Sequence, residues 1–260
     1  MPSTVLNFDK RWLIRFLLMP FFAFLWGACI GSFLNVCLFR WKKGFGIVSP
    51  ASFCPSCGHF IRWFDNIPLV SFAVLRGKCR DCGAPISSQY PAIEISTGIL
   101  FWMAARPGAE PLTVIASFAF VSFLVLLAAS DLKWRLLPHS FNNLFALCGF
   151  FPSLFLRQWP LDPFQAVSSM VILGAFSVLL GRFFPEGLGG GDINMIAAMG
   201  VWFGVTKTLF ALIVAFGMGA LVGLRLIWAG QATRKSLMPF GPFLALGALL
   251  VWYFPLEFNS

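Results

Sequence analysis

The sequence predicts an all-α polytopic integral membrane protein of about eight transmembrane helices with one small loop module. Three observations predict it. The 260 residues are 58% apolar and only 11% charged, with a mean hydropathy of +0.82; an average soluble domain is about a quarter charged. Apolar runs of membrane length recur along the chain, parted by proline, glycine or charge. One stretch, residues 40–90, breaks the pattern and carries two C-x-x-C pairs.

Residues 1–39 form a short tail with Lys10, Arg11 and Arg15, followed by an apolar run over 16–39. That run is longer than a signal-peptide core and ends at Arg40, so a retained span is expected. Residues 40–90 form the tetra-cysteine loop, and residues 91–260 the remaining membrane core. Further spans are expected at about 91–105, 112–130, 140–157, 164–184, 193–206, 208–228 and 238–254. Arg106-Pro107-Gly108, Pro138, Trp159-Pro160 and the glycine run before Asp192 separate most of them. Only Lys207 splits 193–206 from 208–228.

The net charge of +9 belongs to loops. No basic-aromatic surface of useful length stands outside the spans, so no nucleic-acid partner is expected. The 40–90 loop holds Arg40, Lys42, Lys43, Arg62, Arg76, Lys78 and Arg80 against Asp65 and Asp81, which places it in the cytoplasm. Lys10, Arg11 and Arg15 pull the other way but are fewer. Alternation then puts Asp131 to Arg135, Glu186 to Asp192, and Arg234 with Lys235 on the cytoplasmic side. Only the single bases Arg106, Arg157 and Lys207 fall opposite.

The same count brings two acids to one membrane face. Asp131 closes the 112–130 span. Asp192 follows Gly187-Leu188-Gly189-Gly190-Gly191, where glycines permit a broken helix and close backbone approach; Asp192 is expected at the start of the next helix. Acids at membrane depth are costly and mark functional sites. Two carboxylates a few ångströms apart cannot both ionise cheaply and share a proton. Such a pair can take a proton from water while polarising a peptide carbonyl, which is aspartic proteolysis. The competing reading is that each Asp is an interfacial helix-end residue, Asp192 being favoured by the helix dipole alone.

Cys54, Cys57, Cys79 and Cys82, with 21 residues between the pairs, have zinc-ribbon spacing. A closed four-thiolate site would fold the loop and leave no open catalytic position. Asp81 and His59 are expected to face solvent, and Cys29, Cys37 and Cys148 to pack within apolar runs. The alternative is a redox dithiol system, which the basic loop and hence the reducing cytoplasm disfavour.

Several further motifs occur in order: Gly31-Ser32-Phe33-Leu34-Asn35-Val36 with Arg40, Trp63-Phe64-Asp65-Asn66-Ile67-Pro68, Leu75-Arg76-Gly77-Lys78-Cys79-Arg80, Tyr90-Pro91-Ala92-Ile93-Glu94, and Pro239-Phe240-Gly241-Pro242-Phe243. With the paired cysteines, Asp131 before Pro138, and Gly189-Gly190-Gly191-Asp192, they resemble the type IV prepilin leader peptidases, integral-membrane aspartic proteases of the GxGD kind. The resemblance implies that Asp131 and Asp192 are the catalytic pair, supported by Gly189 and Gly191. It implies cleavage of a basic leader after a glycine, at the cytoplasmic face of the bacterial inner membrane, from prepilins or secretion-system pseudopilins. It extends to N-methylation of the new terminus with S-adenosylmethionine, although no segment reads as a methyl-donor pocket. Glu94 is expected to pair with a neighbouring base in a structural or substrate-positioning role. Three positions depart from the family pattern: Asn194 where lysine is frequent, His139 where an acid is frequent, and Gln89 where a base is common. These bear on local electrostatics. Two other readings are a non-proteolytic membrane assembly factor with a zinc loop, and a membrane thiol oxidoreductase working through the four loop cysteines.

Overall fold

The structure is a computed structural model that describes residues 20–105, 110–156, 159–183, 188–231, 233 and 238–254. Lys10, Arg11, Arg15, Arg106, Arg157, Glu186, Arg234 and Lys235, which enter the charge count, and Gly187 of the glycine run lie outside the described residues. Eight α-helices are described: α1 (Pro20–Lys43), α2 (Val70–Val74), α3 (Gln89–Ala104), α4 (Pro111–Trp134), α5 (His139–Phe155), α6 (Pro163–Phe183), α7 (Gly190–Trp228) and α8 (Gly241–Tyr253). A 3₁₀ turn spans Trp63–Asn66. Among the described residues there is no strand, only two isolated bridges in the cysteine loop.

Four helices, α1, α4, α6 and α7, are long and apolar enough to cross a membrane, as an integral membrane protein requires. Helices α3, α5 and α8 have 16, 17 and 13 residues, shorter than the ~20 an upright span needs. The expectation of about eight spans thus meets four helices that satisfy it by length and composition. Hydroxyls inside the helices are satisfied locally: Thr97, Ser117, Ser122 and Ser177 each donate to the carbonyl four residues back, at 2.7–2.8 Å. They therefore need no partner in lipid.

Two element boundaries differ from expectation. The break expected at Lys207 falls at Gly204, where φ is +76° inside α7. A charge marks where side chains meet water, but only a residue that tolerates the left-handed region can carry the kink. Asp131 does not close its helix either. α4 runs on to Trp134, and Arg135 then ends it at φ +54°, its N–H bonded to the Asp131 carbonyl at 2.7 Å.

The chain divides into two compact units, Met1–Ser122 and Phe123–Ser260, the boundary falling within α4. In the first, α1 packs on α3 through Gly27-Ala28-Cys29-Ile30-Gly31, a small-x-x-x-small stripe. A Cβ at Gly27 would lie 2.7 Å from the Thr97 carbonyl, and one at Gly31 2.8 Å from the Glu94 Cα. These glycines let the two backbones touch. Asn35 seals the same seam, donating to the Tyr90 carbonyl at 3.3 Å.

In the second unit α7 packs on α5, α6 and α8. Its centre is Trp202, fully buried, stacked on Phe145 with ring centroids 5.5 Å apart and donating its Nε1–H to the Phe145 carbonyl at 3.0 Å. The bond satisfies the one polar atom of the largest core side chain.

Candidate active site

Asp131 lies on the last full turn of α4 and is 6% exposed. Its Oδ2 accepts the Gly241 N–H at 2.7 Å. Gly241 opens α8, with Phe240 as N-cap and proline in the first turn. The first N–H groups of a helix lack intrahelical partners, so the carboxylate caps a neighbouring helix and meets the positive end of its dipole. The residue there must be small, since a Cβ at Gly241 would sit 2.9 Å from Asp131 Oδ2 and 3.0 Å from its Cβ. The Phe240-Gly241-Pro242 signature thus has a physical role that spacing alone did not reveal.

Asp192 occupies the third position of α7, where Gly189 is the N-cap. Its Oδ2 accepts the Gly189 N–H at 3.1 Å, and the Gly189 carbonyl receives Ile193 N–H at 3.1 Å. The expected position at a helix start is where the structure places it. Its Oδ1 is shielded from solvent with no hydrogen-bond partner among the described residues, an acceptor left open.

The segment after α4 joins the two acids. A Cβ at Gly191 would lie 2.7 Å from Leu137 Cβ and 2.9 Å from the Leu137 carbonyl. The glycine turn therefore rests on the backbone two residues before α5. Asn142, 1% exposed, donates from Nδ2 to the Gly191 carbonyl at 3.1 Å. Ser130, beside Asp131, ties the same segment down by donating to the Leu136 carbonyl at 2.8 Å. His139 Nδ1 and the Asn194 amide are also in contact. Asp131 and Asp192 consequently stand in one unit, close enough for the charge of one to act on the other. Leu137, Asn142 and Gly241 were not foreseen in these roles; proline beside glycine at a span opening was the available signal for Gly241.

In the first unit the four loop cysteines converge, with all ligand sulfurs within 4.8 Å of one another and Cys54 Sγ 4.0 Å from Cys82 Sγ. Tetrahedral thiolates at the usual Zn–S length of about 2.3 Å sit roughly 3.8 Å apart, so the set fits zinc. The knuckles are built alike. Gly58 N–H bonds the Cys54 carbonyl at 2.8 Å and Gly83 N–H the Cys79 carbonyl at 2.9 Å. Both glycines hold positive φ, +75° and +71°, so the glycine after each pair is part of the motif. N–H groups of Cys57 and Ser56 push the Cys54 thiol down to about 6, while the neighbouring sulfurs help push Cys57 up to about 12, so Cys54 is the readier of the two to give the thiolate a metal needs. Asp81 faces Arg62 at 3.5 Å and His59 is exposed, so neither joins the thiols.

Glu94 is buried, and its Oε2 accepts the Leu69 N–H at 2.8 Å. The expected basic partner is replaced by a backbone N–H. Leu69 is the N-cap of α2 and holds φ +62°, an uncommon conformation for a leucine. Glu94 thereby ties α3 to the cysteine loop.

Apolar helices of membrane length, two carboxylates at helix ends in one unit and a tetra-thiol loop in the other make up an integral membrane protein with side chains suited to acid–base hydrolysis. Residues 25–106 match the family model described as the bacterial peptidase A24 N-terminal domain, and residues 118–224 that of the type IV leader peptidase family. The chain belongs to the type IV leader peptidase family. It is 36% identical to a Myxococcus xanthus protein named prepilin leader peptidase/N-methyltransferase, over 84% of this chain and 67% of that protein. Proteins of the same name from Burkholderia pseudomallei and Bacillus subtilis are each 31% identical, over 91% and 89% of this chain and 86% and 92% of theirs. No solved structure matches.

Proposed function

We propose that this chain is a prepilin leader peptidase: an intramembrane aspartic endopeptidase that removes the basic leader of type IV prepilins or pseudopilins after a glycine. Asp131 and Asp192 are the catalytic pair. The observation that supports the reading is that both acids stand in one unit at helix ends, Asp131 fastened to the α8 N-terminus and Asp192 to the start of α7 with one oxygen open.

Two carboxylates a few ångströms apart favour a shared proton. The ionised member takes a proton from water, and the protonated member donates to the scissile carbonyl, whose carbon the water oxygen attacks. As the C–N bond breaks, the proton taken from water passes to the leaving amine and a hydroxyl of the tetrahedral intermediate returns its proton to the other carboxylate, so the pair ends in its starting state. Gly189 and Gly191 support the site by letting the α7 start approach the α4–α5 segment. Charge bias along the sequence supports a cytoplasmic active site in the bacterial inner membrane.

Cys54, Cys57, Cys79 and Cys82 hold a structural zinc ion that folds the loop; Glu94 positions that loop on α3. The relatives' printed name supports a second activity, S-adenosylmethionine-dependent methylation of the new N-terminus.

The test is cleavage of a prepilin in membranes by the parent chain and by Asp131→Asn and Asp192→Asn, with the product's N-terminal mass measured. Each substitution is expected to abolish cleavage. Full processing by either rejects the pair and leaves the assembly-factor reading. A mass increase of one methyl group reports the transferase.

A further inference from the structure

The cysteine loop presents a surface that its own fold does not cover. Phe60, Ile61, Trp63 and Phe64 follow one another with only Arg62 between and are all exposed. Trp63 is 82% exposed, Phe60 66%, and Val48, in the preceding turn, 91%. Apolar side chains so concentrated are unfavourable in water and mark an interaction surface.

The loop is fastened at its base to the ends of two membrane helices. Arg40, at the end of α1, donates to the carbonyls of Gly46 at 3.0 Å and Ile47 at 2.5 Å, and also to that of Pro50. Phe39 of α1 meets Phe53 with ring centroids 5.9 Å apart, and Phe45 meets Phe53 at 6.3 Å. On the other side Glu94 of α3 holds Leu69. Because α1 and α3 pack together, both anchors lie at the same end of one helix pair. The loop therefore sits at the membrane boundary.

Its charge is then what remains after internal pairing. Both acids are engaged, Asp65 with Arg80 at 2.6 Å and Asp81 with Arg62 at 3.5 Å. Lys43, Arg76 and Lys78 are exposed, and no acid of the loop is left over to face them. An exposed apolar patch carrying a tryptophan, on a loop that also exposes these bases and is fixed at the boundary, has the chemistry of a bilayer-interface element. Anionic headgroups supply the opposite charge.

We propose that the tetra-cysteine loop lies on the bilayer surface, with Val48, Phe60 and Trp63 entering the headgroup region and Lys43, Arg76 and Lys78 on anionic lipid. The test uses the full chain in nanodiscs, with a photoreactive benzophenone amino acid placed at Trp63 and, separately, at Val48. After illumination, lipid adducts are expected by mass spectrometry at both positions. Yields should be several-fold higher with phosphatidylglycerol than with phosphatidylcholine alone. Combining Lys43→Gln, Arg76→Gln and Lys78→Gln should erase that difference. Cross-links from both positions into residues 123–260 would overturn the proposal, because the chain's own second unit would then cover the patch. Lack of lipid adducts at both positions would overturn it equally, as would yields indifferent to headgroup charge.

Discussion

The three glycines before Asp192 make different contacts, and alanine at each should have a different effect. A Cβ at Gly191 would lie 2.7 Å from Leu137 Cβ and 2.9 Å from its carbonyl oxygen, whereas one at Gly190 meets nothing within 4 Å. Carbon atoms rest comfortably from about 3.5 Å, so Gly191→Ala must part the two segments by roughly 0.8 Å. The obstacle is partly backbone and cannot rotate aside. That shift separates the start of α7, which carries Asp192, from the segment tied to Asp131 through Ser130. A misplacement of about 1 Å costs on the order of 10²-fold in rate, equivalent to about 2.7 kcal/mol of barrier. Gly189→Ala places its Cβ 3.1 Å from Asp192 Oδ2, which obliges the carboxylate to give way and predicts an intermediate loss. Gly190→Ala should be active and slightly more stable, since alanine is favoured over glycine in helices by up to ~1 kcal/mol. The assay is the initial rate of prepilin cleavage by the full chain in bilayers at saturating substrate, with Tm recorded for each variant. A Gly191→Ala rate within about threefold of the parent, less than ~1 kcal/mol, would refute the reasoning. So would a Gly190→Ala rate that falls as far as that of Gly191→Ala.

Gly241→Ala should slow cleavage similarly, because its Cβ would press on Asp131 at 2.9 Å; a matching fall in kcat with KM unchanged is the expected kinetic pattern. Glu94→Ala leaves the Leu69 N–H without its acceptor and should loosen the loop by about 1–3 kcal/mol. Glu94→Gln keeps an acceptor oxygen and should cost less, and limited proteolysis within residues 40–90 ranks the two. Stripping metal with a chelator, or Cys82→Ser, should open the same loop to protease and leave the Phe123–Ser260 unit protected; equal sensitivity of both would contradict a structural role. The Arg80 hydrogen bond holds Asp65 below its usual 3.8, so the folded loop binds fewer protons there than the unfolded chain. That contribution is complete at neutral pH and is lost as pH falls through the lowered value. Asp65→Asn should therefore weaken protease protection at pH 7 while flattening its decline in acid.

Much of the fold was legible because a bilayer sets lengths. An apolar run must match the hydrocarbon thickness, and the apolar runs between residues 16 and 254 surface as helices with ends a few residues from those expected. The number of full spans was less legible. Helices α3, α5 and α8 are apolar but short, and composition does not say whether a 13-residue helix such as α8 crosses or ends within the membrane. The helix ends follow backbone conformation, which polarity reports poorly. Lys207 advertised a break that Gly204 supplies, and Asp131 advertised an end that Arg135 makes one turn later by adopting a positive φ. The contact between α1 and α3 was written in the spacing of Gly27 and Gly31, but only pairing with Thr97 and Glu94 gives that spacing meaning.

Ligand clusters and long-range contacts differ in the same way. The tetra-thiol loop could be read because each knuckle is local: four residues and the glycine after them determine its shape. The acids could be read as candidates because charge at membrane depth is rare. Their surroundings could not, since Gly241 reaches Asp131 across 110 residues and Asn142 reaches Gly191 across 49. His139 and Asn194 show what is lost without that geometry. In sequence they are two unrelated departures from the family pattern, an acid missing at one position and a lysine at the other. In the structure the two side chains meet, linking the start of α5 to the first turn of α7 just beyond Asp192. The two departures therefore sit side by side: an imidazole and an amide meet where the family pattern frequently has an acid and a lysine. A change at either position alone would therefore alter what the other side chain meets, close in sequence to Asp192.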